Sequence, residues 1–585
     1  MAEALISPGV FLRENDLSQI TAGPITVGSA LIGPTVTGKQ NIPTLVTSYS
    51  EYQALYGTTF ISGGNTQEYL TSIAAYNYFQ QGGTSLLVTR VASGSYTAAT
   101  SSTIVNSLNI AAFELTTLSE GTVMNNDQGA DTAVNGVLPS GSANNVRWQI
   151  TQADTASGYF TLLIRQGSDY TQGQTVLETW TNLSLDPNQN NYIAYVIGDQ
   201  TQTVQYDDNG LAYLQPVGSY PNQSRYVRVS NVFTPTPNYL NPQGRAQSQY
   251  TASIPLNGSG SLNGSFGTAA GPLYGCVGQA PLNLFENIPA VPATTTDNNI
   301  QGVLAPDYDT AIALLANTDA YVYNAIYAPG LTAQNGPDQV STLLSTSQNR
   351  GDNIAVVDLV SYNQAISVVT TAAQSYDNSY GATYWPWLQI RSTSTGRLHF
   401  VPASTVIPGV YEYNDKVSAE WFAPAGLNRG GLPTVIQPEY RLTVNQRNTL
   451  YSAKVNPIAV FPGQGTVVYG QKTLQARASA LDRVNVRRLL IALKGYIGQI
   501  AETLVFEQNT AVTRNKFVSQ VNPYLDYVQQ RQGLYAFRVV MDETNNTPDV
   551  IDRNLLVGAI YLQPTRTAEF IQLDFNILPT GVTFG

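Results

Sequence analysis

The spacing of apolar residues predicts two amphipathic helices in the last third of the chain. In the first, apolar residues recur at the interval of one helical face: Val486, Leu489, Leu490, Leu493, Ile497, Ile500 and Leu504. The second carries one apolar side as well: Phe517, Val518, Val521, Leu525 and Val528. Thr513 is its candidate N-cap and Gly533 its candidate terminator. Pro523 lies inside this helix, where a proline kinks or ends the segment.

Alternation of apolar and polar residues predicts two strands after these helices. Tyr535, Phe537, Val539 and Met541 form one alternating run, which stops at the turn-forming residues 545–548. The second run lies at the very end of the chain, where Ile571, Leu573, Phe575 and Ile577 alternate with polar residues. A strand with one apolar face is unstable alone and needs a sheet to cover it.

The earlier part of the chain changes from a β pattern to an alternating α and β pattern. Short apolar or alternating runs predict strands at 159–167 and 191–198. Further along, residues 309–315 are predicted to form a helix, and 321–330 and 353–360 to form buried strands.

Two stretches have the composition of linkers. In residues 257–271, 8 of 15 positions are Gly or Ser, and Pro and Thr dominate residues 286–300. A third stretch, 119–146, is rich in Gly and Asn and is predicted to form long surface loops. With 585 residues, the chain is expected to hold about three or four domains.

Charged residues are scarce in this chain, which is compatible with a surface that packs against a partner. They make up 11% of the chain, against about 25% in an ordinary soluble domain. Amides, hydroxyls and 36 tyrosines replace them, and such groups can be buried in an interface at less free-energy cost than Lys or Glu. A secreted protein with a polar, uncharged surface would have the same composition, so composition alone leaves both alternatives open.

The net charge of −11 argues against nucleic-acid binding, yet the charge is polarised. Residues 1–330 carry 8 Lys or Arg and 21 Asp or Glu, a balance of 8 − 21 = −13. Residues 471–540 carry 10 and 4, a balance of 10 − 4 = +6. This basic segment is either a solvated face or a docking face for an acidic partner. Its candidate contacts are Arg514 and Lys516, with Arg483, Arg487 and Lys494 as alternates.

No catalytic or metal-binding constellation is predicted. The chain has one histidine, His399, and one cysteine, Cys276, so neither has a second His or Cys as a co-ligand. Adjacent acids such as Asp207 and Asp208 are far more often solvated than catalytic. We therefore expect no cofactor and no enzymatic activity. The opening residues lack a signal-peptide pattern and no apolar run approaches about 18 residues, so a soluble protein assembled in a cytoplasm is expected.

Ordered sequence blocks along almost the whole chain resemble the tail sheath proteins of contractile phages, and through them the sheaths of related contractile injection systems. The opening SPGVFLREND is similar to the family's N-terminal arm, and VGSALIGPTVTGKQNIPTLVTSYSEYQALYG to its first core segment. The strongest blocks are SYGATYWPWLQI, VPASTVIPGVY and WFAPAGLNRGGL, followed by NVRRLLIALKGYIGQIAETLVFEQNT, GLYAFRVVMDETNN and RTAEFIQLDF. Residues 100–285 match weakly.

The resemblance implies a multidomain α+β fold with an inner C-terminal core domain and outward inserted domains, one of them β-rich. The implied division is an N-terminal arm, a discontinuous middle α/β domain, an outward β-rich insertion, an inner core domain and a C-terminal arm: residues 1–22, 23–95 with 286–430, 96–285, 431–569 and 570–585. The arms are implied to add strands to sheets of neighbouring subunits through Val10, Phe11, Leu12, Ile571, Leu573, Phe575 and Ile577.

The resemblance also implies a function. Subunits of this family polymerise as stacked hexameric rings around an inner tail tube, and contraction drives the tube through the host cell envelope for genome delivery. The implied partners are further copies of the chain, the tube protein, and baseplate and tail terminator proteins, without nucleic acid or membrane insertion. The implied location is the virion tail, after assembly in the host bacterial cytoplasm.

Two other interpretations of the sequence remain. A non-phage contractile device, such as a tailocin or a secretion-system sheath, would use the same subunit. A glycan-binding or glycan-cleaving β-protein would explain the Tyr, Asn and Gln content, but it leaves the α/β last third unexplained and needs a carboxylate pair.

Overall fold

A computed structural model describes residues 28–62, 65–93, 98–120, 136–138, 141–263, 288, 301–569 and 572. Several sequence predictions fall outside these residues. They include both arms apart from residue 572, with all seven of the arms' named residues, the linker at 286–300 apart from residue 288, most of the predicted loop at 119–146, and Cys276.

The first described segment opens a parallel sheet. Its elements are β1 (Ser29–Gly33), β2 (Thr44–Val46), α1 (Tyr49–Tyr56), β3 (Thr59–Ser62), β4 (Asn65–Glu68), α2 (Leu70–Gln80) and β5 (Leu86–Arg90). Strands β1 and β5 pair in parallel, and every residue of both strands is buried. Such continuous burial is typical of a strand covered on both faces, which is why SALIG and LLVTR are apolar-rich without alternation.

The next segment forms a separate antiparallel sheet. Its elements are β6 (Ala98–Ser101), β7 (Ile104–Val105), β8 (Ala111–Glu120), β9 (Val146–Asp154), β10 (Tyr159–Gln166), β11 (Val176–Ser184), α3 (Ile193–Ile197), β12 (Thr201–Tyr206), β13 (Ala212–Val217), β14 (Val227–Val232), α4 (Ser248–Thr251) and β15 (Gly258–Asn263). The strand order is β11-β10-β9-β15-β6-β8-β14, with β7 on β8 and β12–β13 as a separate hairpin. Phe113, Trp148 and Phe160 lie in its own apolar core.

Two predictions in this segment are wrong. Residues 191–198 form the short helix α3 rather than a strand, with Ile193 and Ile197 buried in the core of the antiparallel sheet. Residues 258–263, predicted as part of a Gly/Ser linker, form β15, which lies between β9 and β6. The predicted strand at 159–167 is confirmed as β10.

The chain then returns to the parallel sheet. The elements are α5 (Asp309–Leu315), β16 (Ala325–Thr332), α6 (Pro337–Arg350), β17 (Ile354–Asp358), α7 (Ile366–Gln374), β18 (Gly381–Trp385), β19 (Leu388–Arg391), β20 (Leu398–Val401), α8 (Ile407–Val417), β21 (Val435–Pro438), α9 (Val444–Ser452), β22 (Asn456–Phe461) and β23 (Gly465–Val468). The helix predicted at 309–315 is confirmed, as are both buried strands, which begin at Ala325 and Ile354.

The completed sheet has eight strands in the order β2-β5-β1-β16-β17-β18-β22-β23, and it is parallel except for the edge strands β2 and β23, which run antiparallel to their neighbours. Its two faces are covered by two different apolar cores. Along β1, Leu31 packs into one of them, whereas Ala30 and Ile32 pack into the other. The antiparallel sheet is therefore an insertion between β5 and β16 of a sheet that is discontinuous in sequence. The domain boundaries given above stay predictions.

The last described segment confirms both predicted amphipathic helices. Its elements are α10 (Val484–Glu502), α11 (Ala511–Gln530), β24 (Leu534–Val540), α12 (Pro548–Asp552) and β25 (Ala559–Pro564). The N-cap of α11 is Thr510 rather than Thr513, because the Thr510 hydroxyl accepts from the Thr513 backbone N–H. Helix α11 continues through Pro523, which is exposed, so that water can solvate the carbonyl that loses its donor.

Candidate assembly surface on the C-terminal helices

Helix α10 lies between two apolar cores. Val484 and Ile491 belong to a core of the parallel sheet, whereas Leu489 and Leu493 pack with Phe517 and other apolar residues of α11. Further along, the rings of Tyr496 and Tyr524 lie 3.8 Å apart between their centroids. A helix buried on two sides is fixed relative to both of its neighbours, so α10 joins the C-terminal helices rigidly to the sheet.

Most basic residues of α10 contact groups inside the subunit. The guanidinium of Arg487 lies 3.9 Å from the centroid of the Tyr380 ring, and it donates to the Ser379 hydroxyl at 2.5 Å. Lys494 is exposed, and its Nζ donates to the Tyr380 hydroxyl at 3.1 Å. Of these two alternates for partner contact, only Lys494 presents its charge to solvent.

Arg488 is the centre of an ion cluster that the sequence analysis missed. Its guanidinium donates to both carboxylate oxygens of Asp415, at 2.8 and 2.5 Å, and lies 4.7 Å from the centroid of the Tyr411 ring. The acids lie on and just after α8, and burial raises the pKa of Glu412 to about 7. Burial and the charge of Asp415 also raise the pKa of Glu420. A sequence signal exists only for Glu412 and Asp415, which are three positions apart on one helix face.

The raised pKa of Glu412 predicts a stability that falls with rising pH. Because its folded-state pKa lies above the ordinary value, the folded state binds the proton more tightly, and the free energy of unfolding decreases between about pH 4.5 and pH 7. We expect Glu412→Gln to raise the unfolding free energy by about 1 to 3 kcal/mol at pH 8 and to be near neutral at pH 4. Urea unfolding at both pH values measures this.

The matched control is Glu507→Gln, since Glu507 is exposed in the connection after α10. This variant should change the unfolding free energy by less than about 0.5 kcal/mol at either pH. An equal effect of Glu412→Gln at both pH values would contradict the assignment of a buried titrating carboxyl.

The two first candidates for partner contact, Arg514 and Lys516, differ in their exposure to solvent. Arg514 is 6% exposed, donates to the Asn509 side-chain oxygen at 3.3 Å and pairs with Glu543 at 3.2 Å. The charge of Arg514 is therefore largely buried and paired within the subunit. Lys516 is exposed on the same helix. The remaining alternate, Arg483, is half-buried and pairs with Asp482 and Glu569. Whether any of these residues contacts a partner stays a prediction.

Strands β24 and β25 form a two-stranded antiparallel sheet beside α11. The side chains of Phe537 and Val539 pack toward the C-terminal core, whereas Tyr535 and Tyr561 are 60% and 62% exposed. Within the described part of the chain, each strand pairs only with the other. The outer edge of each strand therefore presents backbone groups that can pair with a further strand.

His399 and Asp207, which the sequence analysis considered as catalytic candidates, lie in a strand and in a turn of the fold. His399 lies in β20, where burial and the charge of Arg397 lower its pKa to about 4. Asp207 accepts from the backbone N–H groups of Asn209 and Leu211 in the turn between β12 and β13. Among the described residues, no group of three or more His, Cys, Asp or Glu could hold a metal ion. Nor does any described helix have the length and apolarity to cross a membrane.

Comparison with known proteins finds two phage tail sheath domains in the second half of the chain. Residues 301–474 match the model of the phage tail sheath protein central domain, and residues 477–577 match that of the phage tail sheath C-terminal domain. This part of the chain is similar to the central and C-terminal domains of phage tail sheath proteins. The two sheath models cover the returning half of the parallel sheet, α10, α11 and the β24–β25 sheet. The inserted antiparallel sheet lies outside both models.

Individual sheath proteins are also similar to parts of this chain. The chain is 44% identical over 188 residues to the tail sheath protein of Vibrio phage KVP40, which is 32% of this chain and 28% of the relative. It is 30% identical over 284 residues to the tail sheath protein of Salmonella phage ViI, covering 47% of this chain and 44% of the relative. These matches therefore span less than half of the relatives' own length.

A solved sheath protein shares the fold. The crystal structure of a sheath tail protein from Listeria innocua superposes with a TM-score of 0.51 at 9% identity, covering 93% of this chain and 96% of the other. At this identity the likeness concerns the fold alone, a mixed α and β architecture with several sheets.

Proposed function

We propose that the chain is the structural subunit of a contractile tail sheath. In this proposal, subunits stack as hexameric rings around an inner tail tube, and contraction drives the tube through the host cell envelope. The single observation that carries the proposal is the joint match of the central and C-terminal sheath models over 301–577. The relatives named above are tail sheath proteins of phages, which supports a virion tail as the location.

The β24–β25 sheet is the proposed acceptor of the exchanged arms. A two-stranded sheet is marginal in water, and here only one of its faces is covered by the C-terminal core. Added strands from the N- and C-terminal arms of neighbouring subunits would occupy its two outer edges by main-chain hydrogen bonding. Apolar residues of the arms, such as Leu12 and Phe575, would give the pairing its register.

The C-terminal helices are the proposed inner face of the sheath. Of the five basic candidates, Lys516 and Lys494 are the exposed ones, so they are the ones able to meet an acidic tube surface without unfolding part of the subunit. The rigid attachment of α10 to the sheet supports contraction by movement of nearly rigid subunits, with the arms keeping neighbours connected. Baseplate and terminator proteins would bound the two ends of the polymer.

The purified protein is expected to form rings or tubes in negative-stain electron micrographs. The reason is that open strand edges and terminal strands on the same chain favour pairing between copies. A protein that stays a compact monomer across concentration and salt, and yields no polymer in its native particle, would contradict the proposal. Cleavage of a glycan that disappears on substitution of a single Asp or Glu would favour the β-protein alternative instead.

A further inference from the structure

The last charged residue of the described C-terminal segment, Glu569, is held by three different parts of the subunit. Its carboxylate accepts from the guanidinium of Arg483 at 2.7 and 3.0 Å, a two-point contact. The hydroxyl of Tyr451 donates to it at 2.8 Å, and the Gln471 side-chain amide donates at 3.1 Å. We name this set of four residues the Glu569 anchor.

The partners of Glu569 come from separate elements. Tyr451 lies on α9, Gln471 follows β23, and Arg483 is the N-cap residue of α10. The Gln471 amide also donates to the hydroxyl of Thr567 at 2.6 Å, so a second residue of the same segment is held. These contacts bind residues 567–569 to the edge region of the parallel sheet, although β25 itself belongs to the β24–β25 sheet.

The Glu569 anchor brings together a carboxylate and a guanidinium of opposite charge. Glu569 and Arg483 are 18% and 25% exposed, so their charges are partly desolvated. Burial alone would raise the pKa of Glu569, but the hydrogen bonds from Arg483, Tyr451 and Gln471 outweigh it and keep that pKa below the ordinary value. The anchor is therefore fully present above about pH 4.5, and it is lost as the pH falls through the lowered pKa. Two-point Arg–carboxylate pairs fix direction as well as distance.

The position of the anchor in the chain connects it with assembly. Residue 569 immediately precedes residues 570–585, the predicted exchanged arm. Before the anchor, the nearest backbone contact is at Thr565, whose N–H donates to the Gly533 carbonyl at 3.2 Å. Loss of the Glu569–Arg483 pair would loosen residues 568 and 569, which follow the contact of Thr567 with Gln471. In the proposed assembly, the exchanged arm would then start from a less oriented segment, which lowers its effective concentration at a neighbouring sheet.

We propose that the Glu569–Arg483 ion pair is a positioning device that fixes the origin and direction of the C-terminal arm, so that polymerisation depends on a contact made within one subunit. This inference rests on the proposed sheath function, since it concerns how the arm reaches a neighbour. Glu569 contributes no contact to the neighbour itself; it acts through the orientation of the residues that follow it.

The test compares assembly of the full-length protein with that of Glu569→Gln and Arg483→Gln. Sedimentation over a concentration series gives the protein concentration at which half of the chain is polymeric. Loss of a charged two-point contact should raise this concentration roughly five- to tenfold. Hydrogen exchange of the unassembled chain should speed up in the peptide that contains residues 565–569. The melting temperature should stay within about 3 °C of the wild-type value.

Two further variants keep the test decisive. The exchange Glu569→Arg with Arg483→Glu restores an ion pair of reversed polarity and should recover at least part of the assembly. Asp482→Asn is the matched control, because Asp482 also pairs with Arg483, at 2.9 Å, but does not contact Glu569. This control should assemble at the wild-type concentration.

The outcomes separate this inference from the proposed function. If the wild-type chain polymerises and both single variants do so at the same concentration, the anchor has no role in positioning and the inference is overturned. The inference is likewise overturned if Asp482→Asn is as defective as Arg483→Gln, since the effect would then be one of general charge. If the wild-type chain itself never polymerises, the sheath function fails, and this inference fails with it.

Discussion

Removal of residues 1–16 is expected to abolish polymerisation and to leave a subunit that folds and melts cooperatively. Folding should persist because the described cores are built from residue 29 onward, and β1 is already buried between β5 and β16. Assembly should fail because the proposed acceptor, the β24–β25 sheet, would receive no N-terminal strand from a neighbour. Sedimentation velocity measures the loss of polymer, and a thermal melt measures the retained fold.

A matched control distinguishes the strand sequence from chain length. It replaces residues 1–16 by a Gly/Ser segment of the same length, which can span the same distance but has no apolar face. This control should behave like the truncation. Ordered tubes formed by either variant would contradict arm exchange through the N-terminus, although the similarity of residues 301–577 to sheath domains would stand. A truncated chain that fails to melt cooperatively would place the segment in the subunit's own fold.

The sequence predicted most accurately the elements that have a long or continuous apolar pattern. The seven apolar positions assigned to the first C-terminal helix are buried or half-buried in α10 and the turn that follows it. Strands β16 and β17 were found because parallel strands covered on both faces are apolar throughout. In these elements the local apolar pattern agrees with burial in the fold. Under that condition the sequence pattern is sufficient to predict the element.

The elements that were missed depend on contacts distant in sequence. Strand β15 has the composition of a linker, yet Gly260 is needed there because a Cβ would lie 2.9 Å from Cζ2 of Trp148. A glycine selected by close packing is indistinguishable, in sequence, from one selected for flexibility. Helix α3 is a run of only five residues, too short for apolar periodicity to separate helix from strand.

Charge position was the other feature that sequence could not predict. The helical pattern shows on which face of its helix each of Arg487, Arg488 and Arg514 lies. It does not show which of these faces are in contact with other parts of the fold. Tyr380, Asp415 and Glu543 cover them, from positions 29 to 107 residues away. Three of the ten basic residues of this segment, Arg483, Arg488 and Arg514, are therefore paired with acids within the subunit, and its surface charge differs from the simple count of +6.

Substitution of Arg488 by Met is expected to produce the largest loss of subunit stability. Arg488 is 5% exposed and is the partner of both oxygens of Asp415, with Glu412 close by. Removing one member of a buried ion pair leaves the other uncompensated, which destabilises a fold by about 3 to 5 kcal/mol. Urea unfolding at pH 8, followed by fluorescence, measures this. Trp421 is a suitable reporter, since it lies in the C-terminal core.

The pH dependence of the same variant identifies the cause. Protonation removes the charge of Glu412 and Glu420, whose pKa values burial raises, so the loss caused by Arg488→Met should be clearly smaller at pH 5 than at pH 8. Lys494→Met is the control on the same helix: Lys494 is exposed, and its loss should change the unfolding free energy by less than about 1 kcal/mol at either pH. Adding Asp415→Asn to Arg488→Met should recover part of the stability at pH 8, because it removes the uncompensated charge. A loss that is equal at both pH values, and that Asp415→Asn does not relieve, would mean that Arg488 stabilises the subunit through packing against Tyr411 rather than through charge.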